Sequence, residues 1–171
     1  MGVLKAKPIA ILAHDGQVDK GGAPYIGHPY RVADKIAALA RFSKLNETQL
    51  EAAREAAWLH DVIEDAGVTE NELREAGISE LAIEVIELLT RDKHNPERSG
   101  DTYYRNIKDH PVARVVKIAD IADNSNHSRK ETMIANGKGV KAGKYEHALA
   151  MLELTVAEQE WFDKDIQVVV H

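Results

Sequence analysis

The stretch "AAWLHDVIEDAGVT", residues 56–69, decides how the chain is read. Trp58, Leu59, Val62 and Ile63 sit among alanines at helical spacing. Upstream, Asn46-Glu47-Thr48-Gln49 has the form of a capping box, with Asn46 as N-cap and Gln49 reaching back. The expectation is one helix from there to about Asp65, with Gly67 just past its end. Yet this apolar helix carries His60, Asp61, Glu64 and Asp65. At about 100° per residue, Asp61, Glu64 and Asp65 fall roughly 100°, 40° and 140° from His60, all on one arc. Buried charge is costly unless it is paired or holds a metal. That arc is either a solvated face or an inward face that does chemistry.

Working outward, helix signals dominate. Thr69-Glu70-Asn71-Glu72 is a second capping box, opening a short helix that stops near Gly77. Ala82, Val85, Ile86 and Leu89 keep the i, i+3, i+4, i+7 pattern of a helix over 79–91. His28-Pro29 and His110-Pro111 place proline near helix starts, predicting helices at about 29–42 and 111–124. Tyr145, Leu149, Leu152 and Val156 form one stripe on a long C-terminal helix, and "QVVVH" is a short strand or a docked tail. Residues 92–101 and 125–143 read as irregular, the second a flexible loop with Gly137, Gly139 and Gly143. The expected fold is all-α, a single helical domain over residues 1–171.

Composition narrows the function classes. The 171 residues are 44% hydrophobic and 29% charged, with a net charge of −6. An acidic chain is a poor non-specific nucleic-acid binder, so nucleic acid is not expected as a partner. There is no cysteine, which excludes disulfides, thiolate metal sites and a thiol nucleophile. The apolar run before His14 is too short and mixed for a signal peptide or membrane span, so a cytoplasmic location is expected.

An adjacent His-Asp pair offers an imidazole and a carboxylate, ligand types that suit manganese, iron or zinc. Two ligands are not a site. "PYIGHPYRVA" adds His28 at a helix start, and "ARVVKIADIADNS" adds Asp120 in an apolar helix with Asn124 one turn on. Lys117, three residues before Asp120, can meet an anion beside it. Two nitrogens and at least two oxygens would leave coordination positions open for water and substrate. Each residue has a plainer alternative: His28 an N-cap, Glu64 and Asp65 a solvated helix end, Asp120 a structural bridge to Lys117. Needing all of these together is less economical, because Asp120 and His60-Asp61 both interrupt apolar stretches.

The order His28…His60-Asp61…Asp120 resembles the H…HD…D signature of HD-superfamily metal-dependent phosphohydrolases. With "AHDGQ" (13–17), "PYIGHP" (24–29), Glu64-Asp65 and "LTR" (89–91), it resembles more narrowly the hydrolase domain of RelA/SpoT-type alarmone enzymes and small stand-alone alarmone hydrolases. That resemblance implies metal ligation by His28, His60, Asp61 and Asp120, usually of manganese, with magnesium also conceivable. It implies that Glu64 and Asp65 position and activate water, and that Asn124 touches the substrate near the scissile group. The implied reaction removes the 3′-pyrophosphate of guanosine tetra- or pentaphosphate (ppGpp, pppGpp).

Polyphosphate needs cations, for which Lys117, Lys20 and Arg31 are candidates. A base needs a stacking partner, for which Tyr145, Tyr103 and Tyr104 are candidates. Three positions depart from the family pattern. Asp19 replaces an arginine of "GQ-x-R-K", Ile121 a basic residue, and His127 a small polar one. The alternatives are therefore an HD phosphohydrolase or nucleotidase acting on a different nucleotide, and a non-catalytic nucleotide-binding HD module. The partner in every case is a small-molecule nucleotide; oligomeric state is open.

Overall fold

A computed structural model describes residues 2–138 and 143–170, and every regular element in them is a helix. The fold is all-α. The amino-terminal helix α1, Gly2–Ala13, escapes the pattern rules. Among its residues of described burial it buries only Ala6 and Ala10, and exposed Pro8 interrupts its hydrogen-bond ladder. A tight turn through Gly16 leads to α2, Gly27–Ser43, which starts earlier than proline at its first position would set it.

The helix α3, Glu47–Leu59, opens on the expected Asn46–Gln49 capping box. Its buried face is Ala52, Ala53, Ala56 and Ala57, small enough for close approach by α1 and α2. The helix does not continue to Asp65. It stops before His60-Asp61, and a separate short helix α4, Val62–Ala66, follows. Side chains on adjacent residues of an unbroken helix diverge by about 100°. Here both must reach one point. His60 Nδ1 also donates to the Ala57 carbonyl (2.8 Å), the oxygen that a continuing ladder would offer to Asp61. Asp61 sits at φ −105°, ψ −2°. Gly67, at φ +68°, closes α4 through a hydrogen bond to Val62 O.

Next come α5, Glu70–Glu75, on its capping box, and α6, Glu80–Leu89, capped by Ser79. A 3-10 turn at Pro96–Arg98 and the start of α7, Gly100–Lys108, then take up half of the 92–101 segment read as irregular. The central helix is α8, Pro111–Asn124, buried from Val112 to Asp123 except at Arg114. It packs against α2, α3, α6 and α7.

The expected loop at 125–143 is in part helical. Asn126 caps α9, His127–Ala135, by accepting from Arg129 N, and Met133 anchors it. Residues 139–142 of that loop lie outside the described residues. The expected long C-terminal helix is two: α10, Lys144–Leu152, and α11, Val156–Asp165. The Thr155–Glu158 capping box starts α11, so Val156 leaves the stripe and is 78% exposed. The tail is docked rather than a strand: Val168 O accepts from Asn126 and Val170 N donates to Ser128 Oγ.

Candidate active site

His28 from α2, His60 and Asp61 from the α3–α4 corner, and Asp120 from α8 meet at the centre of the bundle. His28 and His60 are 3% and 4% exposed, so His28 is not the open residue its place at a helix start implies. His28 Nε2 lies 3.2 Å from His60 Nε2 and 3.0 Å from Asp120 Oδ1. His60 Nε2 lies 3.0 Å from Asp61 Oδ2 and 3.4 Å from Asp120 Oδ1. His28 Nε2 and Asp61 Oδ2 are 3.7 Å apart.

The far ring nitrogens fix the tautomers. His28 Nδ1 faces Asp123 Oδ2 at 2.7 Å, and His60 Nδ1 faces the Ala57 carbonyl at 2.8 Å. Both partners only accept, so both Nδ1 atoms carry hydrogens and donate. The two Nε2 atoms then present lone pairs toward each other and toward two carboxylate oxygens. Four acceptors this close repel unless a cation or shared protons lie between them. Ligand atoms about 2.0–2.2 Å from one ion stand roughly 3.0–3.5 Å apart, which matches the spacing seen here. The donor set fits a divalent metal; the His28, His60 and Asp120 atoms all fall within 4.8 Å of one another.

The electrostatics ask for the same charge. Burial opposes protonation of His60, yet Asp61 and Asp120 outweigh it and raise its pKa well above the ordinary value. Burial also opposes ionisation of Asp120, yet Lys117 and the two histidines hold its carboxyl well below the usual range.

Around this cluster is a supporting shell that sequence reasoning largely missed. Asp123, fully buried, takes His28 Nδ1–H, the Arg31 guanidinium (Nε, 2.7 Å) and Arg129 Nη1 (2.7 Å). These partners overcome burial and bring its pKa down to about 2. Such a carboxylate orients the ring and strengthens its other nitrogen as a ligand. The signal was present as an aspartate three residues after Asp120, one turn along an apolar helix. Tyr25 donates its hydroxyl in a short hydrogen bond to Asp61 Oδ2 and lies 3.4 Å from Asp65 Oδ2. Lys117 Nζ meets Asp120 Oδ2 at 2.9 Å, and the Asn124 amide donates to Asp120 Oδ1 at 3.1 Å.

A cavity of about 450 Å³ opens over the cluster. Glu64, Asp65, Lys20, Lys117, Asn124 and Tyr145 all line it. Burial, then Asp61, raises the pKa of both Glu64 and Asp65. Gln17 fixes this corner from the "AHDGQ" turn. Its amide donates to Asp65 O (3.2 Å), and its carbonyl oxygen faces His14 Nδ1 (3.0 Å). Lys144 and Arg129 also line the cavity, neither marked by any sequence motif.

Three expected residues lie elsewhere. Arg31 is outside the cavity lining, its guanidinium committed to Asp123. Tyr103 and Tyr104 are buried against α6 and α8, where the Tyr103 hydroxyl donates to Leu89 O. The family departures are also resolved in space. Ile121 is buried in the core. Asp19 does line the cavity, but its Oδ1 accepts Gly21 and Ala23 N–H groups and its Oδ2 meets Arg129. His127 hydrogen-bonds Ile166 O through its backbone, at the start of α9.

Comparison with known proteins places this chain in a family. The HD domain family matches residues 25–125. A guanosine-3′,5′-bis(diphosphate) 3′-pyrophosphohydrolase of Haemophilus influenzae is 35% identical over 124 residues, 68% of this chain and 17% of that protein. A GTP pyrophosphokinase of Myxococcus xanthus is 39% identical over 80 residues, 47% of this chain and 10% of that protein. The chain thus spans less than a fifth of the length of these curated relatives. A solved structure described as a metazoan ortholog of SpoT that hydrolyzes ppGpp superposes with a TM-score of 0.68. It covers 96% of this chain and 93% of its own at 17% identity, a likeness of fold. Among the described residues, no helix is long and apolar enough to cross a membrane.

Proposed function

The chain belongs to the HD domain family, and from that premise we propose that it is a metal-dependent phosphohydrolase that removes the 3′-pyrophosphate of ppGpp or a close analogue. The carrying observation is that His28, Asp61 and Asp120, converging with the buried His60, line one cavity of nucleotide size together with the Glu64-Asp65 pair.

His28, His60, Asp61 and Asp120 would hold a divalent cation, manganese by family resemblance, though their donor types also suit iron or zinc. When bound, it supplies Lewis-acid polarisation of a phosphoryl oxygen and makes water more acidic. The chain's own residues do the rest. Lys117 and Asn124 fix Asp120, and Tyr25 fixes Asp61, so neither carboxylate swings. Glu64 and Asp65 are partly shielded carboxylates with raised basicity, placed to accept the proton of an attacking water. Lys20, Lys144 and Arg129 face the polyphosphate, and Tyr145 offers an aromatic wall for the base. The balanced reaction is ppGpp plus water giving GDP plus pyrophosphate.

The test is incubation of manganese-loaded protein with ppGpp. Stoichiometric GDP and pyrophosphate are expected, and His60→Ala should abolish both. An inert, metal-loaded wild-type protein would remove the proposal. The state of Asp19 favours a second reading, a different nucleotide substrate, because its carboxylate is spent on Gly21, Ala23 and Arg129 rather than free for a base. Orthophosphate release from a nucleoside monophosphate, without pyrophosphate release from ppGpp, would select it.

A further inference from the structure

His14 lies just past the end of α1, 2% exposed and outside the cavity lining. Its backbone N–H continues the helical ladder to Ala10 O, and its carbonyl accepts from Gln17 N across the Gly16 turn. Its side-chain partner is also Gln17. Because the Gln17 amide donates to Asp65 O, the atom facing His14 Nδ1 is the Gln17 carbonyl oxygen. That oxygen only accepts, so Nδ1 carries the hydrogen and Nε2 is a bare lone pair. Nε2 is buried and has no hydrogen-bond partner among the described residues. A leucine would fill this interior position without stranding a polar atom. Histidine is thus the less stable choice here, and what it supplies is a single buried donor aimed at Gln17.

The imidazole also touches a second residue of the active corner. Its centre stands 4.8 Å from that of the Tyr25 ring, the two planes tilted by 46°. The Tyr25 hydroxyl in turn lies against Asp61 Oδ2 and 3.4 Å from Asp65 Oδ2. Two routes therefore run from His14 to Asp65, one through Gln17 to its carbonyl and one through Tyr25 to its carboxylate. Tyr25 N donates to Gln17 O at 2.8 Å, which joins the two routes into one unit. Asp65 needs such outside support because α4 is only five residues long. A helix that short has almost no ladder of its own to hold its residues in place.

Resting on the proposed activity, we propose that His14 is a positioning residue for the hydrolytic reaction. It locks the Gln17 amide and the Tyr25 ring, and through them it fixes Asp65 beside the attacking water. The donor at Nδ1 does this; Nε2 takes no part. His14 lines neither the cavity nor the cation cluster, so its removal acts on turnover rather than on binding.

The test pairs two substitutions in the manganese-loaded full chain. His14→Leu keeps the bulk and removes the donor, whereas His14→Asn keeps an N–H near the Nδ1 position. His14→Leu should lower kcat for ppGpp roughly ten- to a hundredfold, the usual worth of an outer support. KM, manganese affinity and thermal stability should stay close to wild type, and His14→Asn should recover part of the kcat. In a Gln17→Met background His14→Leu should cost little more, because both act through one amide. Unchanged kcat in His14→Leu would overturn the proposal. So would a loss shared by manganese affinity and thermal stability, which marks a structural role, or a full further loss in the Gln17→Met background. A readout independent of turnover is nitrogen-15 relaxation of the Gln17 side-chain amide in the zinc-loaded chain, zinc being diamagnetic. That amide should be rigid in the wild type and mobile in His14→Leu; equal mobility in both would overturn the proposal. A His14-dependent amide in a chain inert toward ppGpp would remove the proposed activity and uphold the tie from His14 to Asp65.

Discussion

His28 shows how the fold prepares one residue as a candidate ligand. Its Nε2 faces the cluster only because Asp123 takes the other nitrogen, and Asp123 is itself clamped by Arg31 and Arg129. Asp123→Asn keeps the shape and loses the charge, so manganese affinity by calorimetry should fall roughly ten- to a hundredfold. Unchanged affinity would mean that Asp123 orients nothing. In the proposed reaction Glu64 and Asp65 would do separate work. Tyr25 lies near Asp65 Oδ2, whereas no hydrogen bond or ion pair is seen for the Glu64 carboxylate among the described residues. Glu64→Gln should therefore be the more damaging change, lowering kcat by roughly 10²–10⁴-fold with KM little altered. A larger loss in Asp65→Asn would reverse the assignment.

At the scale of elements, the five-residue helix α4 carries both carboxylates and depends on how it ends. Gly67 at φ +68° has open space where a Cβ would go, so Gly67→Ala meets no clash and acts through backbone strain alone. It should cost about 1 kcal/mol in chemical denaturation and lower kcat by displacing Glu64 and Asp65. Normal stability would contradict the left-handed assignment. This corner also marks the limit of what the sequence makes legible. Periodicity identified the apolar residues of α3, and the Asn46–Gln49 box marked its start. The break at His60-Asp61 was not legible, because it follows from two side chains converging on partners from α2 and α8. The start of α11 was legible in Thr155-x-x-Glu158, but the longer apolar stripe obscured it. The helix α9 hides in a polar, glycine-flanked stretch because Asn126 caps it and only Met133 is buried. His28, His60, Asp61 and Asp120 could be named from their motif. Lys144, Arg129 and Tyr25 could not, since their role comes from where the chain returns in space.

Across the whole molecule, a second buried charge network holds the distant end of the bundle. Glu158, fully buried on α11, accepts from Arg114 (2.6 and 2.7 Å), Ser43 (2.9 Å) and the Thr155 backbone (2.8 Å), tying α11 to α8 and α2. Arg114→Met strands that carboxylate and should cost about 3–5 kcal/mol in a thermal melt. A loss below about 1 kcal/mol would show the network to be dispensable. Despite burial, these partners lower the pKa of Glu158 from 4.5 to about 2. A carboxylate with a depressed folded pKa contributes stability above its unfolded value and loses it as pH falls through the folded one. Stability should thus decline from about pH 4.5 toward 2, less steeply in Glu158→Gln, as urea midpoints would show. The active centre makes the opposite demand on charge: four acceptors face one another, and Lys117 is the one lysine or arginine paired with them among the described residues. Titration of manganese into metal-stripped protein tests this most directly. The account predicts one saturable ion per chain, lost in His60→Ala while the helical circular dichroism is retained. A wild-type chain with no saturable ion, or a His60→Ala chain that binds as tightly, would contradict it.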